Sequence, residues 1–209
     1  MNGIVLPKVE AYMDRLLPQR DQVLSEIETL AASRGIPIVG PAVGRVLLLL
    51  TRLIDARHVF EMGSAVGYST IWLARGTGEK GIVYYTDANE ENARRAAGYF
   101  REAGVSNQVR LLIGDAVNLI DTVEGDFDLI FNDVDKDQYP EVFAKAYPRL
   151  RRGGILVSDN VLWYGRVAEA NRDMETEAVR EFNRLIYSTN DLFTIILPIR
   201  DGISVSLKL

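Results

Sequence analysis

Hydrophobic and polar positions along this chain follow two periods, and the changes from one to the other mark its elements. Over residues 8–33, Val9, Met13, Leu16 and Leu17, then Val23, Leu24, Ile27 and Leu30, recur at helical spacing, interrupted at Pro18. Two helices, or one kinked helix, are therefore expected ahead of the first strand. Residues 35–41 carry loop chemistry, and a helix with one apolar face is expected over 42–54. From residue 57 the period shortens. The apolar run 57–62 stops at Gly63 and reads as a buried parallel strand, from which a helix departs over 68–75. Strand and helix then alternate: strands over 81–87, 108–113, from 127, and 154–158, with helices over 89–103, from 114–116, over 139–150 and over 174–187. At the end, 193–199 and 203–207 flank a turn at 200–202, and Ile203, Val205 and Leu207 alternate with Ser204, Ser206 and Lys208. The pattern predicts an α/β fold with a mostly parallel sheet, helices on both faces and a C-terminal antiparallel hairpin.

Composition narrows this to one domain. A chain of 209 residues that is 47% hydrophobic can bury one sizeable core, so residues 1–209 form a single domain in which 1–35 are a helical cap. That cap is expected to pack on the domain, with a pocket wall or a dimer face as further roles. A net charge of −5 argues against nucleic-acid or anionic-membrane partners; Arg94-Arg95 and the arginines of 149–152 read as solvated helix faces. Cysteine is absent, which removes disulfides, thiolate metal sites and a cysteine nucleophile, and suits a cytoplasmic protein. No signal peptide or membrane-length apolar stretch is expected. The one histidine, His58, precedes the first strand on the edge away from the strand ends, and a structural role is expected for it.

The chemistry gathers at the strand ends. Dinucleotide loops use Gly-x-Gly-x-x-Gly, whereas this loop runs Gly63-x-Ala65-x-x-Tyr68 with its second glycine at Gly67. It does offer Glu61, a carboxylate for an ammonium group, and Ser69, a hydroxyl for a carboxylate; these are the two ends of an amino acid. S-adenosylmethionine joins a nucleoside to an amino acid. Asp87 lies 24 positions after Gly63, near the offset at which an acid holds ribose hydroxyls; a cap for the next helix is the other common use of an Asp here, and its position relative to the glycine loop favours the ligand. The fourth strand runs into Asp133, Asp135, Lys136 and Asp137, and the fifth into Asp159-Asn160. Neighbouring strand ends would bring Asp133, Asp159 and Asn160 together, an all-oxygen set suited to Mg²⁺, Mn²⁺ or Ca²⁺. Helix caps and a turn pair would use the same acids without any ligand. Trp163 and Tyr164 could wall a planar aromatic substrate, and residues 165–172 are where substrate choice is expected.

Glu61-x-Gly63-x-x-x-Gly67-Tyr68-Ser69 resembles the first motif of the class I methyltransferases, especially the catechol and caffeoyl-CoA O-methyltransferase branch. Asp133-x-Asp135-Lys136-Asp137-x-Tyr139, followed by Asp159-Asn160-Val161-Leu162-Trp163, is similar to the metal and catalytic signature of the cation-dependent O-methyltransferases of that branch. The similarity runs from about residue 36 to the C-terminus. It implies a Rossmann-like class I methyltransferase fold with a seven-stranded sheet, methyl transfer from S-adenosylmethionine to a small aromatic vicinal diol, and a homodimer. It places Asp133, Asp159 and Asn160 on the metal positions and Lys136 on the catalytic base position, with Asp133 counted among the catalytic and the cofactor-binding residues as well. Asp115 and Ala116 fall where the adenine is read, and the backbone near Val39 and Gly40 where a loop closes over the cofactor methionine. Two positions depart from the family pattern: Gly44-Arg45-Val46 stands where Gly-Gln-x is usual, and Asn132 where an aliphatic residue is usual. An NAD-dependent oxidoreductase and a non-catalytic S-adenosylmethionine-binding protein are the alternatives, and the acceptor remains open.

Overall fold

A computed structural model describes residues 4–170 and 172–209. Its centre is a seven-stranded sheet in the order β3-β2-β1-β4-β5-β7-β6. The strands are β1 (His58–Met62), β2 (Ile82–Asp87), β3 (Val109–Ile113), β4 (Phe127–Asn132), β5 (Leu150–Ser158), β6 (Leu192–Leu197) and β7 (Ile203–Lys208). The first five pair in parallel, and β7 pairs antiparallel with both β5 and β6. The mostly parallel sheet with its C-terminal hairpin is as the sequence pattern predicts.

Among the described residues eight α-helices flank the sheet: α1 (Pro7–Leu16), α2 (Gln22–Arg34), α3 (Gly40–Leu53), α4 (Tyr68–Thr77), α5 (Glu90–Glu102), α6 (Ala116–Leu119), α7 (Tyr139–Arg149) and α8 (Met174–Ser188). Strand alternation sorts the core into two layers. Val59, Val83, Leu129, Phe131 and Val157 face α2, α3, α4 and α5, whereas Phe60, Met62, Ile130 and Leu156 face α6, α7 and α8. Each such side chain, once buried, contributes about 1.5–3 kcal/mol. Packing is close between α3 and α4, where a Cβ on Gly44 would run into the Trp72 indole. Among the described residues no helix is long and apolar enough to cross a membrane.

The register does the positioning. Met62 pairs with Asn132, and Asn132 with Ser158, so three adjacent parallel strands end level. Gly63, Asp133 and Asp159 consequently leave the sheet side by side. This lies where the strand order reverses about β1 and β4, the place at which open α/β sheets bind ligands.

Asn132, polar at a buried strand position, finds its partners here. Its amide donates to Ser158 Oγ at 3.3 Å and its Oδ1 accepts from Val134 N–H at 3.4 Å, tying β4 to β5 and turning the chain after Asp133. Several boundaries differ from the sequence pattern, among them α3, which opens at Gly40 inside the stretch expected as loop. β5 starts at Leu150 rather than 154, because Phe127 pairs with Leu150 before a register shift that aligns Leu129 with Ile155; arginines in the extra stretch conceal it from an apolar pattern. The helix opening after residue 114 closes after only four residues into a 3₁₀ turn. His58 is structural as expected, with Nδ1 2.7 Å from Asp126 O and its ring stacked on Phe127.

Candidate functional site

Above the level strand ends lies a cavity of about 1280 Å³. Single ligand pockets commonly occupy 300–1,000 Å³, so this one has room for two ligands side by side. One flank is formed by Gly63, Ala65, Thr86, Asp87 and residues 114–116, the other by Asp133, Lys136, Asp159, Asn160, Trp163 and Tyr164. Parts of α1 and α2 and of segment 36–42 complete the wall. The helical cap thus lines the pocket as well as packing on the domain through Leu24, Ile27 and Ala31 of α2.

Gly63 is required twice over. Its φ is +83°, in the left-handed region, and a Cβ there would lie 2.6 Å from the carbonyl oxygen of Asp133. That approach sets the glycine loop directly against the end of β4. Thr86 fastens the loop to β2: its hydroxyl donates to Glu61 O at 2.6 Å and accepts from Gly63 N–H at 3.2 Å.

Glu61 lies beneath this loop, fully buried, and is not on the cavity wall. Ser64 Oγ donates to its Oε2 at 2.7 Å, and the Thr70 hydroxyl donates to the same oxygen. Oε1 is buried with no hydrogen-bond partner. Burial pushes this carboxyl up to about 7, with the hydroxyls of Ser69, Thr70 and Ser64 working against the shift. An orphaned acceptor of this kind fits a cationic donor arriving from the loop side. Ser69 and Val39 are buried close to the loop and to α3, and neither lines the cavity.

Asp87 lines the cavity and is not the cap of α5; Asn89 caps that helix, accepting from Glu91 N–H at 2.8 Å. Asp87 instead accepts from Asn89 N–H at 2.7 Å and from the Asn92 amide, which fix its carboxylate at the wall. Asp115 does both jobs: it caps α6 through Asn118 N–H at 3.1 Å and lines the cavity beside Ala116. Neither Asp135 nor Asp137 caps α7, which has no side-chain cap.

On the opposite flank Lys136 is buried, its Nζ 3.3 Å from Asp133 Oδ1 and 3.0 Å from Val134 O, and 5.0 Å from the Tyr139 ring centre. Asp133 is half-buried and its carboxyl is raised, by burial first and then by facing Asp159, while Lys136 pulls it down. Asp159 is raised by burial, opposed by Arg200, by the Asn160 N–H at 2.9 Å and by Lys136. Two carboxylates that repel one another, with an amide beside them, suit a hard cation whose remaining ligands come from water or substrate. Among the described residues no group of three or more His, Cys, Asp or Glu side chains is placed to hold a metal.

Among the described residues six non-glycines have positive φ, and all but Asp55 line this cavity: Ala65, Asn160, Trp163, Tyr164 and Arg200. Backbone strain of this sort collects at ligand sites. Trp163 is half-buried and Tyr164 half-exposed, and both line the cavity. Of the segment 165–172, residue 171 lies outside the described residues.

Three features were not singled out in the sequence. Arg20 grips Glu28 through Nε at 2.9 and 3.1 Å and Nη2 at 2.9 Å, and Tyr68 donates to the same Glu28 at 2.7 Å, closing the wall between α2 and α4. Only the helical periodicity of α2 hinted at it. Thr70, Ser64 and Thr86 are ordinary hydroxyls in sequence; the signal was Glu61 inside an apolar strand, which needs donors nearby. Arg200 sits in the hairpin turn, and the register of Ser158 with Ser204 carries that turn to the same edge as the other strand ends.

A family model described as O-methyltransferase matches residues 19–209. A catechol O-methyltransferase from Niastella koreensis is 33% identical over 193 residues, covering 89% of this chain and 87% of that protein. Among solved structures, an O-methyltransferase from Bacillus cereus in complex with SAH superposes with a TM-score of 0.86 at 30% identity, covering 96% of this chain and 97% of that one. The O-methyltransferase TomG from Streptomyces achromogenes, in complex with SAM, gives a TM-score of 0.86 at 30% identity, covering 96% of each chain.

Proposed function

This chain belongs to the O-methyltransferase family, and from that premise we propose that it transfers the methyl group of S-adenosylmethionine to one hydroxyl of a small aromatic vicinal diol, with a divalent cation assisting. The observation that carries the reading is the facing of two flanks across one cavity: a glycine loop with Asp87 and Asp115 on one side, and Asp133, Lys136, Asp159 and Asn160 on the other. The family places the oxidoreductase alternative aside, and a non-catalytic binding protein would have no use for Lys136 beside two carboxylates.

The glycine-loop flank takes the cofactor. Asp87 receives the ribose hydroxyls, Asp115 and the Ala116 N–H meet the adenine edge, and Glu61 and Ser69, below the loop, draw the amino-acid end towards Gly63 and Val39. A cation held by Asp133, Asp159 and Asn160 would supply Lewis acidity towards two adjacent phenolic oxygens. Lys136, held at Asp133 and Val134, would receive the proton of the reacting hydroxyl on its unprotonated amine, the form that a cation beside it favours by charge repulsion; that hydroxyl must lie about 3 Å from the methyl carbon and in line with it. Trp163 and Tyr164 stack on the ring. We place the protein in the cytoplasm, as its lack of cysteine suits, and in a homodimer.

The test is transfer of labelled methyl from S-adenosylmethionine to catechols and to monophenols, with Mg²⁺ and with chelator. Chelator-sensitive transfer confined to the diols is expected, and Lys136→Ala should lower it by at least about 100-fold. Equal transfer to monophenols, or full activity in chelator, would remove the cation from the proposal.

A further inference from the structure

Among the described residues three cationic side chains line the cavity: Arg20, Lys136 and Arg200. Two of them are already engaged by carboxylates, Arg20 by Glu28 at 2.9 Å and Lys136 by Asp133 at 3.3 Å. Among the described residues Arg200 makes no ion pair, and it is exposed at the mouth. Its Nη1 donates to Ile38 O at 3.0 Å, while the side-on edge of the guanidinium, Nε and Nη2, has no partner among those residues. That edge is the one that grips a carboxylate with two parallel hydrogen bonds.

The group is held in place from both ends. Its backbone has φ +51°, in the region that favours glycine, although glycine would sit there without strain. Gly40 faces the guanidinium, and the Ile38 carbonyl fixes its tip. The next two residues of the turn fasten to the segment after Asp159: Leu162 N–H donates to Asp201 O at 3.0 Å, Val161 N–H to Gly202 O at 3.0 Å, and Tyr164 N–H to Asp201 Oδ1. Arg200 therefore stands beside the corner where the diol is seated. Asp159 and Asp201 also feel the charge of Arg200 without pairing with it, and elsewhere the mouth presents Glu10, Asp14, Asp135 and Asp137, so Arg200 is the cation left to receive an anionic substituent.

We propose that Arg200 reads a carboxylate on the acceptor, so that aromatic vicinal diols carrying an acid are preferred over neutral ones. This rests on the cavity being a methyl-transfer site. The methionyl end of the cofactor also bears a carboxylate, and the experiment separates the two sources. In the full chain, kcat/KM is measured for a dihydroxyphenyl carboxylic acid and for its methyl ester, with wild type, Arg200→Gly and Arg200→Lys, and cofactor Kd is measured by calorimetry. Glycine suits the left-handed backbone, so this variant should fold with a Tm no lower than wild type. The acid is expected to be favoured by about fivefold to tenfold in wild type, with the ratio falling to about one in Arg200→Gly through a rise in KM for the acid, and partly restored by lysine.

A wild-type ratio near one, or a ratio that survives in Arg200→Gly, would overturn the proposal. So would a loss of cofactor affinity in Arg200→Gly equal to the loss on the acid, since the carboxylate read would then be the cofactor's. Absence of transfer to both acid and ester by wild type would bring down the methyl-transfer reading, and this proposal with it.

Discussion

Glu61 shows how much a single side chain can store. A carboxyl raised from 4.5 to about 7 binds a proton more tightly in the folded chain than in the unfolded one. The sign follows: its stabilising contribution is complete below about pH 4.5 and is lost as pH rises through 7, a change of about 3 kcal/mol over that window. Asp133, Asp159 and Asp201 are raised by burial too and act in the same direction. Comparing wild type with Glu61→Gln isolates the one residue. By chemical denaturation of the ligand-free protein, wild type should lose more stability than the variant between pH 4.5 and 7, and the two profiles should run parallel above pH 8. Parallel profiles throughout would mean that Glu61 is ionised in the folded chain even when no ligand is bound. The residue type was legible in the sequence, and its burial was not: a strand-end carboxylate reads as a side chain facing the ligand, whereas Ser64 and Thr70 hold it under the loop.

At the scale of elements, the strands and helices that carry the site were legible because each pairs a clear apolar period with a glycine or a run of acids where it ends. Asp133 and Asp159 could be set side by side from sequence order alone, since consecutive parallel strands end on one edge. What the pattern could not supply was register. The shift between Phe127 and Leu129 lengthens β5, and the hydrogen bonds of Asn132 to Ser158 and Val134 exist only because those strands align as they do. The level ends also make the glycine loop unforgiving. Ala at Gly63 would bring left-handed strain and a clash with backbone at Asp133, while Ala at Gly35, φ +65° with open space around it, would bring the strain alone. Gly35→Ala should cost about 1 kcal/mol and Gly63→Ala about 3 kcal/mol or more, which for a chain of this size is a Tm drop of about 2–4 °C against about 6–12 °C. Equal drops in thermal melts would show that the loop has room to move away from β4.

For the whole molecule, the decisive asymmetry lies in the cap. α2 is anchored by Leu24, Ile27 and Ala31, by the Arg20–Glu28 pair and by Arg75 with Asp21 at 2.6 Å, whereas α1 contributes no buried residue. Yet Leu6, Val9, Met13 and Leu16 follow one another at spacings of three and four, forming an apolar row along one side of α1, and all are exposed. An isolated helix of ten residues is marginal in water, so α1 gains its order from what lies against it. Glu10, Asp14 and Leu17 turn towards the cavity, which leaves the apolar row for a second copy of the chain, the homodimer proposed above. Val9→Glu with Met13→Glu tests this without touching the core. In light scattering the wild type should run at twice 23.4 kDa and the double variant at 23.4 kDa, with the unfolding transition of the dissociated variant still cooperative. A wild type that stays at 23.4 kDa at all concentrations would refute the dimer. A variant that remains dimeric would move the interface away from α1. If the dimer does dissociate, the cavity wall built by Glu10 and Asp14 loosens with it, and KM for the acceptor should rise more than KM for the cofactor, because the cofactor flank is built from the sheet and α4.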